Sequence, residues 1–230
     1  VGAKSNAFEL AFLKLVFRNE NIANVGDATG LRGSSSAGNL YAGLYTADPG
    51  EAGDQTTNEA AYTSYARVAI SRATGSWNVT GNGLENASAI SFPACTGGSA
   101  TVMFVGIGTD SSGAGTLLYK APLGTNLGPF VGEADDDLIT IKGHGLSVSD
   151  RVVFFAPTGS SLPTGVAEGT VYFVKTAPSA DTITISATDG GATINLTADG
   201  DGWAFKVVPL AVSNGITPEI AAGSLDVFED

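Results

Sequence analysis

Short apolar runs, each stopped within a few residues by glycine, serine or a proline turn, constrain this chain more than any other feature. "NLYAGLYTADPGEAG" (39–53) shows the pattern. "LYAGLYT" reads as a core strand with Gly43 inside it, and Asp48-Pro49-Gly50 stops it. Proline fixes φ there, and glycine accepts the positive φ of a turn. "YARVAISRA" resumes at Tyr65, with Ala66, Val68 and Ile70 alternating against Arg67, Ala69 and Ser71. That period of two is the signature of a half-buried strand. "WNVT", "ASAISF", "TVMFVGIGT", "GTLLYKAPL" and the late "GSLDVFED", with Leu225, Val227 and Phe228 apolar, extend the series. Strands this short are stable only in a packed set, which predicts a mainly β fold: an antiparallel β-sandwich or jelly-roll-like domain.

One segment breaks the pattern. Residues 7–17 read "AFELAFLKLVF" and fail strand alternation, but they suit a helix. Phe8, Phe12, Leu15 and Val16 share one side, with Leu10, Leu13 and Phe17 nearly opposite. Asn6 and Glu9 have the spacing of a capping box. A helix apolar all round needs cover on both flanks. A sheet supplies one cover and a neighbouring subunit the other, which makes Phe8, Phe12, Leu15 and Val16 the candidates for oligomer packing. Burial in the chain's own core is the alternative. The lysine followed by apolar residues faintly imitates a secretory leader, but Glu9 and Lys14 interrupt it and no small-x-small cleavage site follows. It is read as structure, and the Asn-x-Ser/Thr triplets at Asn78, Asn86 and Asn195 as chance matches. Residues 19–38 are small and polar, a loop or extended arm. No apolar run reaches the length of a membrane span.

A second strand-rich region runs over 134–205. Four strands are expected at Leu138–Ile141, Arg151–Phe155, Val171–Lys175 and Thr182–Ser186, with a fifth at Thr193–Leu196. Ile183 and Ile185 alternate with Thr182, Thr184 and Ser186, giving one dry and one polar face. The chain thus divides into a main β domain with helix and arm (1–133), an inserted small β-barrel-like module (134–205) and a C-terminal return to the main domain (206–230). Insertion at an exposed loop costs little closure entropy.

Charge narrows the partners. Only 15% of residues are charged, and glycine numbers 31, so Ser, Thr, Asn, Gly and Ala must cover much of the surface. The net charge is −12, and from Glu133 onward 14 acids face 4 bases. Phosphate contacts need clustered Lys and Arg, so direct nucleic-acid binding is disfavoured. The single cysteine, Cys95, excludes an intrachain disulfide and reads as a small apolar residue. His144, the lone histidine, sits between glycines in "KGHGLS" and reads as a turn residue. Ser147, Asp150 and Asp181 make a catalytic set with it only on paper. Asp135, Asp136 and Asp137 form an acidic run that repels itself and faces water, with a cation site as the alternative. "TADGDGW" lacks the EF-hand spacing, and no Walker or dinucleotide motif occurs. Trp77, Trp203, Tyr62 and Tyr65 suit sugar stacking, but core and rim positions explain them more simply. A carbohydrate-active enzyme would need two opposed carboxylates, for which the sequence gives no positive sign.

The order of "SNAFELAFLKLVF", "NLYAGLYTADPGEAG", "YARVAISRA", "ASAISFPA", "TVMFVGIGTDSSGAGTLLYKAPL" and "GSLDVFED" resembles a family of tailed-phage virion structural proteins commonly labelled tail fibre proteins. The likeness spans about 1–123 and returns at about 207–230. Residues 134–205 are similar to small modules carried by phage tail and surface proteins. The resemblance implies no enzyme, no cofactor and assembly with other virion proteins. A chain this short, without a repeating shaft, is expected to act as a capsid decoration or cement protein on the exterior of the head, assembled in the bacterial cytoplasm. Its expected partners are the major capsid protein and its own copies, as a homotrimer. The alternative is a tail-tip or fibre-associated protein whose inserted module binds a host surface receptor.

Overall fold

A computed structural model describes residues 4–25 and 30–227. Phe228, expected in the last strand, lies outside them. Helix α1 spans Asn6–Arg18. The main domain then supplies β1 (Asn39–Tyr45), β2 (Val68–Ser71), β3 (Trp77–Thr80), β4 (Gly83–Asn86), β5 (Ile90–Ser91), β6 (Ser99–Val102), β7 (Phe104–Gly108) and β8 (Leu117–Pro122). Six strands follow in the second unit: β9 (Gly124–Glu133), β10 (Leu138–Thr140), β11 (Arg151–Phe155), β12 (Tyr172–Thr176), β13 (Thr182–Ser186) and β14 (Gly200–Val207). The chain returns through β15 (Leu210–Ser213), β16 (Glu219–Ile220) and β17 (Asp226–Val227). Among the described residues no helix is long and apolar enough to cross a membrane.

The fold is mainly β with antiparallel sheets, one N-terminal helix and a closed six-strand barrel. The stretch 39–45 becomes the second strand of a four-stranded sheet ordered β2-β1-β7-β8. The returning segment retraces its outward path: β15 pairs with β6, β16 with β5, and β17 with β4. These sheets share one core with α1. Leu13 and Phe17 enter it beside Trp77, Leu84, Ile107 and Val212. Phe17 meets the Trp77 ring edge-on at 4.7 Å, the geometry favoured by the ring quadrupoles.

The helix starts one residue before the expected cap. Ser5 is the N-cap, and its hydroxyl accepts from Phe8 N. Glu9 therefore does not close a capping box; it turns inward and is buried, where Asn82 Nδ2 donates to it. At the other end Asn19 adopts φ 56°, in the left-handed region that terminates helices. Arg72, just beyond β2, donates to the carbonyls of Leu15 and Val16. Those are acceptors that a helix C-terminus leaves unpaired. This clamp fixes the helix on the sheet.

The barrel closes in the order β10-β13-β12-β11-β14-β9. Its interior is packed by Phe130, Ile139, Val152, Phe154, Ile183 and Ile185. β11 and β13 fall on the expected residues, and β10 and β12 within one residue of them at each end. Thr193–Leu196 is not a strand; Thr193 makes only an isolated bridge with Ser186. Closure comes from β9 and β14, which no sequence pattern marked. Pro129 and glycines at 124, 128, 132, 200 and 202 disguise them as loops. Two of those glycines admit a crossing segment. A Cβ at Gly132 would meet Pro163 Cγ at 2.3 Å, and one at Gly200 would meet Pro163 N at 2.3 Å.

β9 and β14 are neighbours in the barrel, so the chain enters and leaves at one place. Val208 N donates to Leu123 O at 2.7 Å across that gap. A third core joins the two units: Tyr45 and Phe104 of the sheet against Val153 and Val207 of the barrel. Asp48 reinforces the seam. Lys120 Nζ lies 3.0 Å from its carboxylate and 5.2 Å from the centre of the Phe155 ring. Gly169, at φ +68°, lets the barrel approach this carboxylate; a Cβ there would stand 2.0 Å from Asp48 Oδ2.

Candidate functional site

Three surfaces and one buried cluster stand out. Along α1 the apolar residues separate by environment. Leu13 and Phe17 are in the core, and Val16 packs against it. Phe8 and Phe12 stay 40% and 37% exposed. Leu15 and Val16 line a cleft of about 390 Å³ with Arg32, Leu40 and Arg72. The four residues expected at an oligomer contact are thus divided: two form an open aromatic pair, and two border the cleft.

The buried cluster was not foreseen. Arg67, in the "Y-R" motif at the entrance to β2, is inside the protein with its side chain 2% exposed. Glu59 binds its guanidinium from one side, while the carbonyls of Gln55, Asp110 and Gly113 accept its remaining donors. Tyr65 donates to Glu59 and accepts from Leu44 N. Gln55, fully buried, exchanges two hydrogen bonds with the Asp110 backbone. The long polar excursion after β1 is therefore pinned over the sheet by one arginine. The strand reading placed Arg67 on the polar face, and the alternation gave no sign of a buried partner. Arg67, Glu59, Tyr65 and Gln55 thus bond chiefly to one another and to loop backbone, and the cluster organises those loops.

Part of the barrel's outer face is covered by the main domain. Val153, Phe155, Phe205 and Val207 point outward from β11 and β14 into the seam. Further along β14 the same side of the strand is open. Trp203 is 40% exposed, with Phe155 opposite it on β11 and Pro129 opposite it on β9. Val131, 49% exposed, pairs with Asp201 in the next row.

A profile of the podophage GP4 fiber I protein gp80 family matches residues 3–134, more than half of the chain. The chain belongs to this family. No match was found among curated proteins. Membership in the gp80 family fits a structural virion protein and the fibre label that the sequence motifs carry. The match covers α1 and β1–β9 and stops where the rest of the barrel begins.

Within this gp80-family chain the catalytic sets drawn on paper do not assemble. His144 is buried, and its Nδ1 accepts from Leu146 N at 2.8 Å. Its Nε2 meets no hydrogen-bond partner. Asp150 instead pairs with Lys206 at 2.7 Å and accepts from Ser147 N, while Asp181 accepts from Gly143 N. Burial pushes the Asp150 carboxyl up, but the Lys206 and Ser147 bonds outweigh it and hold the group below its ordinary range. Asp137, at φ 56°, accepts from Leu196 N, and Asp199 accepts from Ala134 N; both tie loops. Among the described residues no three His, Cys, Asp or Glu side chains converge as a metal site. Cys95 is buried, and its Sγ donates to Gly97 O.

Proposed function

We propose that this chain is a non-catalytic fibre-associated component of a podophage virion. In this reading the main domain is the assembly element and the barrel is an outward element that meets the host surface. The observation that carries the reading is the apolar seam of Tyr45, Phe104, Val153 and Val207. A barrel on a loose tether would need no shared core. One fused through such a core holds a fixed direction, which suits a contact made far from the particle. The family profile, which covers α1, β1–β8 and only the first strand of the barrel, supports assigning assembly to the main domain and an added task to the rest of the barrel.

A second reading, capsid decoration, draws on the open pair Phe8 and Phe12. An exposed aromatic pair on a clamped helix suits lateral contact with a shell protein or with copies of the chain in a homotrimer. Burial of apolar surface contributes roughly 25 cal/mol per Å², and repetition around a shell multiplies a modest contact. Gold-labelled antibody against the barrel, applied to intact virions and to tailless heads, separates the two. Label at the tail and none on heads supports the fibre reading. Dense label on tailless heads replaces it with decoration, and no label on any particle removes both.

A further inference from the structure

Two features of opposite charge remain without a role, and they belong to different units of the molecule. The first is the cleft of about 390 Å³ beside the C-terminal half of α1. Leu15, Val16 and Leu40 form its apolar part, Arg32 and Arg72 carry its charge, and among the described residues no acid lines it. Arg72 spends its donors on the carbonyls of Leu15, Val16 and Ala37, so it lends the cleft charge more than hydrogen bonds. Arg32 is exposed. The second feature is the turn between β9 and β10, where four of the five residues from Glu133 to Asp137 are acidic. Glu133, Asp135 and Asp136 are exposed there. The turn is nevertheless held in one shape, because Asp199 accepts from Ala134 N and Asp137 accepts from Leu196 N. Adjacent carboxylates repel one another, so such a turn gains from any cationic group brought to it.

The seam keeps the two features apart within one chain. Tyr45 and Phe104 pair at the seam end of the β1–β7 ladder, while Asn39, Leu40 and Thr109 line the cleft at its other end. In the barrel, β9 leaves the Leu123–Val208 junction at Gly124 and meets the acidic turn after 10 residues, about 30 Å of strand. The turn follows the exposed Val131 and Trp203, where the cover of the main domain has ended. It does not enter its own cleft, whose lining comes wholly from the main domain. A second copy brings the same turn without that restraint. We propose that the Glu133–Asp137 turn of one copy docks at the Arg32–Arg72 cleft of another. The contact is heterologous: each copy offers one turn and one cleft, so copies join head to tail in a ring or a row. A single turn falls short of the roughly 800 Å² per partner that a lasting interface buries. Association in dilute solution is therefore weak, steered by charge and reduced by salt. Copies held side by side on a particle meet at a far higher effective concentration. The contact is independent of what the barrel's other faces meet, so its failure leaves the host-contact reading standing.

Sedimentation velocity of the full-length protein, over a range of concentrations at low and high salt, tests the contact. Arg32→Ser takes charge from the cleft, and Asp135→Asn with Asp136→Asn takes it from the turn. All three side chains are exposed, so melting temperature and circular dichroism are expected to stay unchanged. The expected result is a set of larger species at low salt that grows with concentration and disperses at high salt. Either variant associates about tenfold more weakly or worse, and Arg32→Lys, which keeps the charge, associates like the unmodified protein. The mixture of the two weakened variants is the decisive sample. Arg32→Ser still carries an acidic turn, and the doubly amidated variant still carries a basic cleft. Together they form one contact, giving a species of twice the monomer mass and nothing larger. Three outcomes overturn the proposal: a single species at every concentration and salt, association that neither variant weakens, or a mixture that stays at monomer mass. Loss of association in Arg32→Ser without loss in the turn variant also overturns it, and gives the cleft a different acidic occupant.

Discussion

Glu59 holds Arg67 with both carboxylate oxygens, Nε to Oε1 at 2.7 Å and Nη2 to Oε2 at 2.8 Å. Because the guanidinium also serves three backbone carbonyls, removing Glu59 leaves a buried charge with its loops still attached. The Glu59 bond, ahead of the opposing effect of burial, raises the Arg67 pKa. Glu59→Gln is expected to destabilise the protein by about 3 kcal/mol, the usual cost of stranding one partner of a buried pair. Arg67→Met with Glu59→Leu is expected to cost less than the two single changes added together. Urea denaturation of the unmodified protein, Glu59→Gln, Glu59→Leu, Arg67→Met and the double variant checks both statements.

Tyr45 makes the opposite case. Its hydroxyl is buried without a partner. Burial first, then the nearby Glu59 carboxylate, push its phenol up to about 12. A raised folded pKa gives stability that is complete below the unfolded value of about 10 and lost as pH rises through the folded one. Stability is therefore expected to decline from about pH 10 upward. Tyr45→Phe is expected to be neutral or to stabilise by up to about 1 kcal/mol, since no hydrogen bond is lost, and to flatten that decline. Thermal melts at neutral and alkaline pH measure both effects.

Helix α1 offers a clean test of self-association. Deleting residues 1–17 would also remove Leu13 and Phe17 from the core, so a truncated protein would confuse folding with assembly. Phe8→Ser with Phe12→Ser spares that core. If copies meet through this flank, the double variant sediments as a smaller species at an unchanged melting temperature. An unaltered sedimentation coefficient would assign the flank to another role.

The seam can be opened at one atom. Gly169→Ala places a methyl group against Asp48 and imposes an L side chain at positive φ. The Asp48–Lys120 pair must then separate. Main-domain and barrel cores are not touched, so the expected effect is local: 1–3 kcal/mol of strain and faster protease cleavage near the Leu123–Val208 junction. Cleavage at an unchanged rate would mean that Asp48 simply swings aside.

Where alternation was regular, the sequence disclosed the structure. β11 and β13 were legible because apolar runs alone determine them, as was α1, whose period of 3.6 excluded a strand. β9 and β14 were not. Two of their glycines, Gly132 and Gly200, answer the close passage of Ser161–Pro163, a long-range contact that no local pattern records. The same limit hid Glu9 and Arg67. Charged residues read as solvent-facing until their partners are seen beside them: Asn82, far along the chain, for Glu9, and Glu59, across a loop, with the distant Asp110 and Gly113 carbonyls for Arg67. Trp203 is conspicuous in the sequence for its chemistry, but its exposure depends on where the main domain ends its cover of the barrel.

The adjacency of Leu123 and Val208 has an evolutionary meaning. A unit whose first and last strands lie side by side can be lifted out and another put in without altering the path of what surrounds it. Related chains are expected to carry unlike cargo between these two positions, or a plain hairpin where nothing is carried at all.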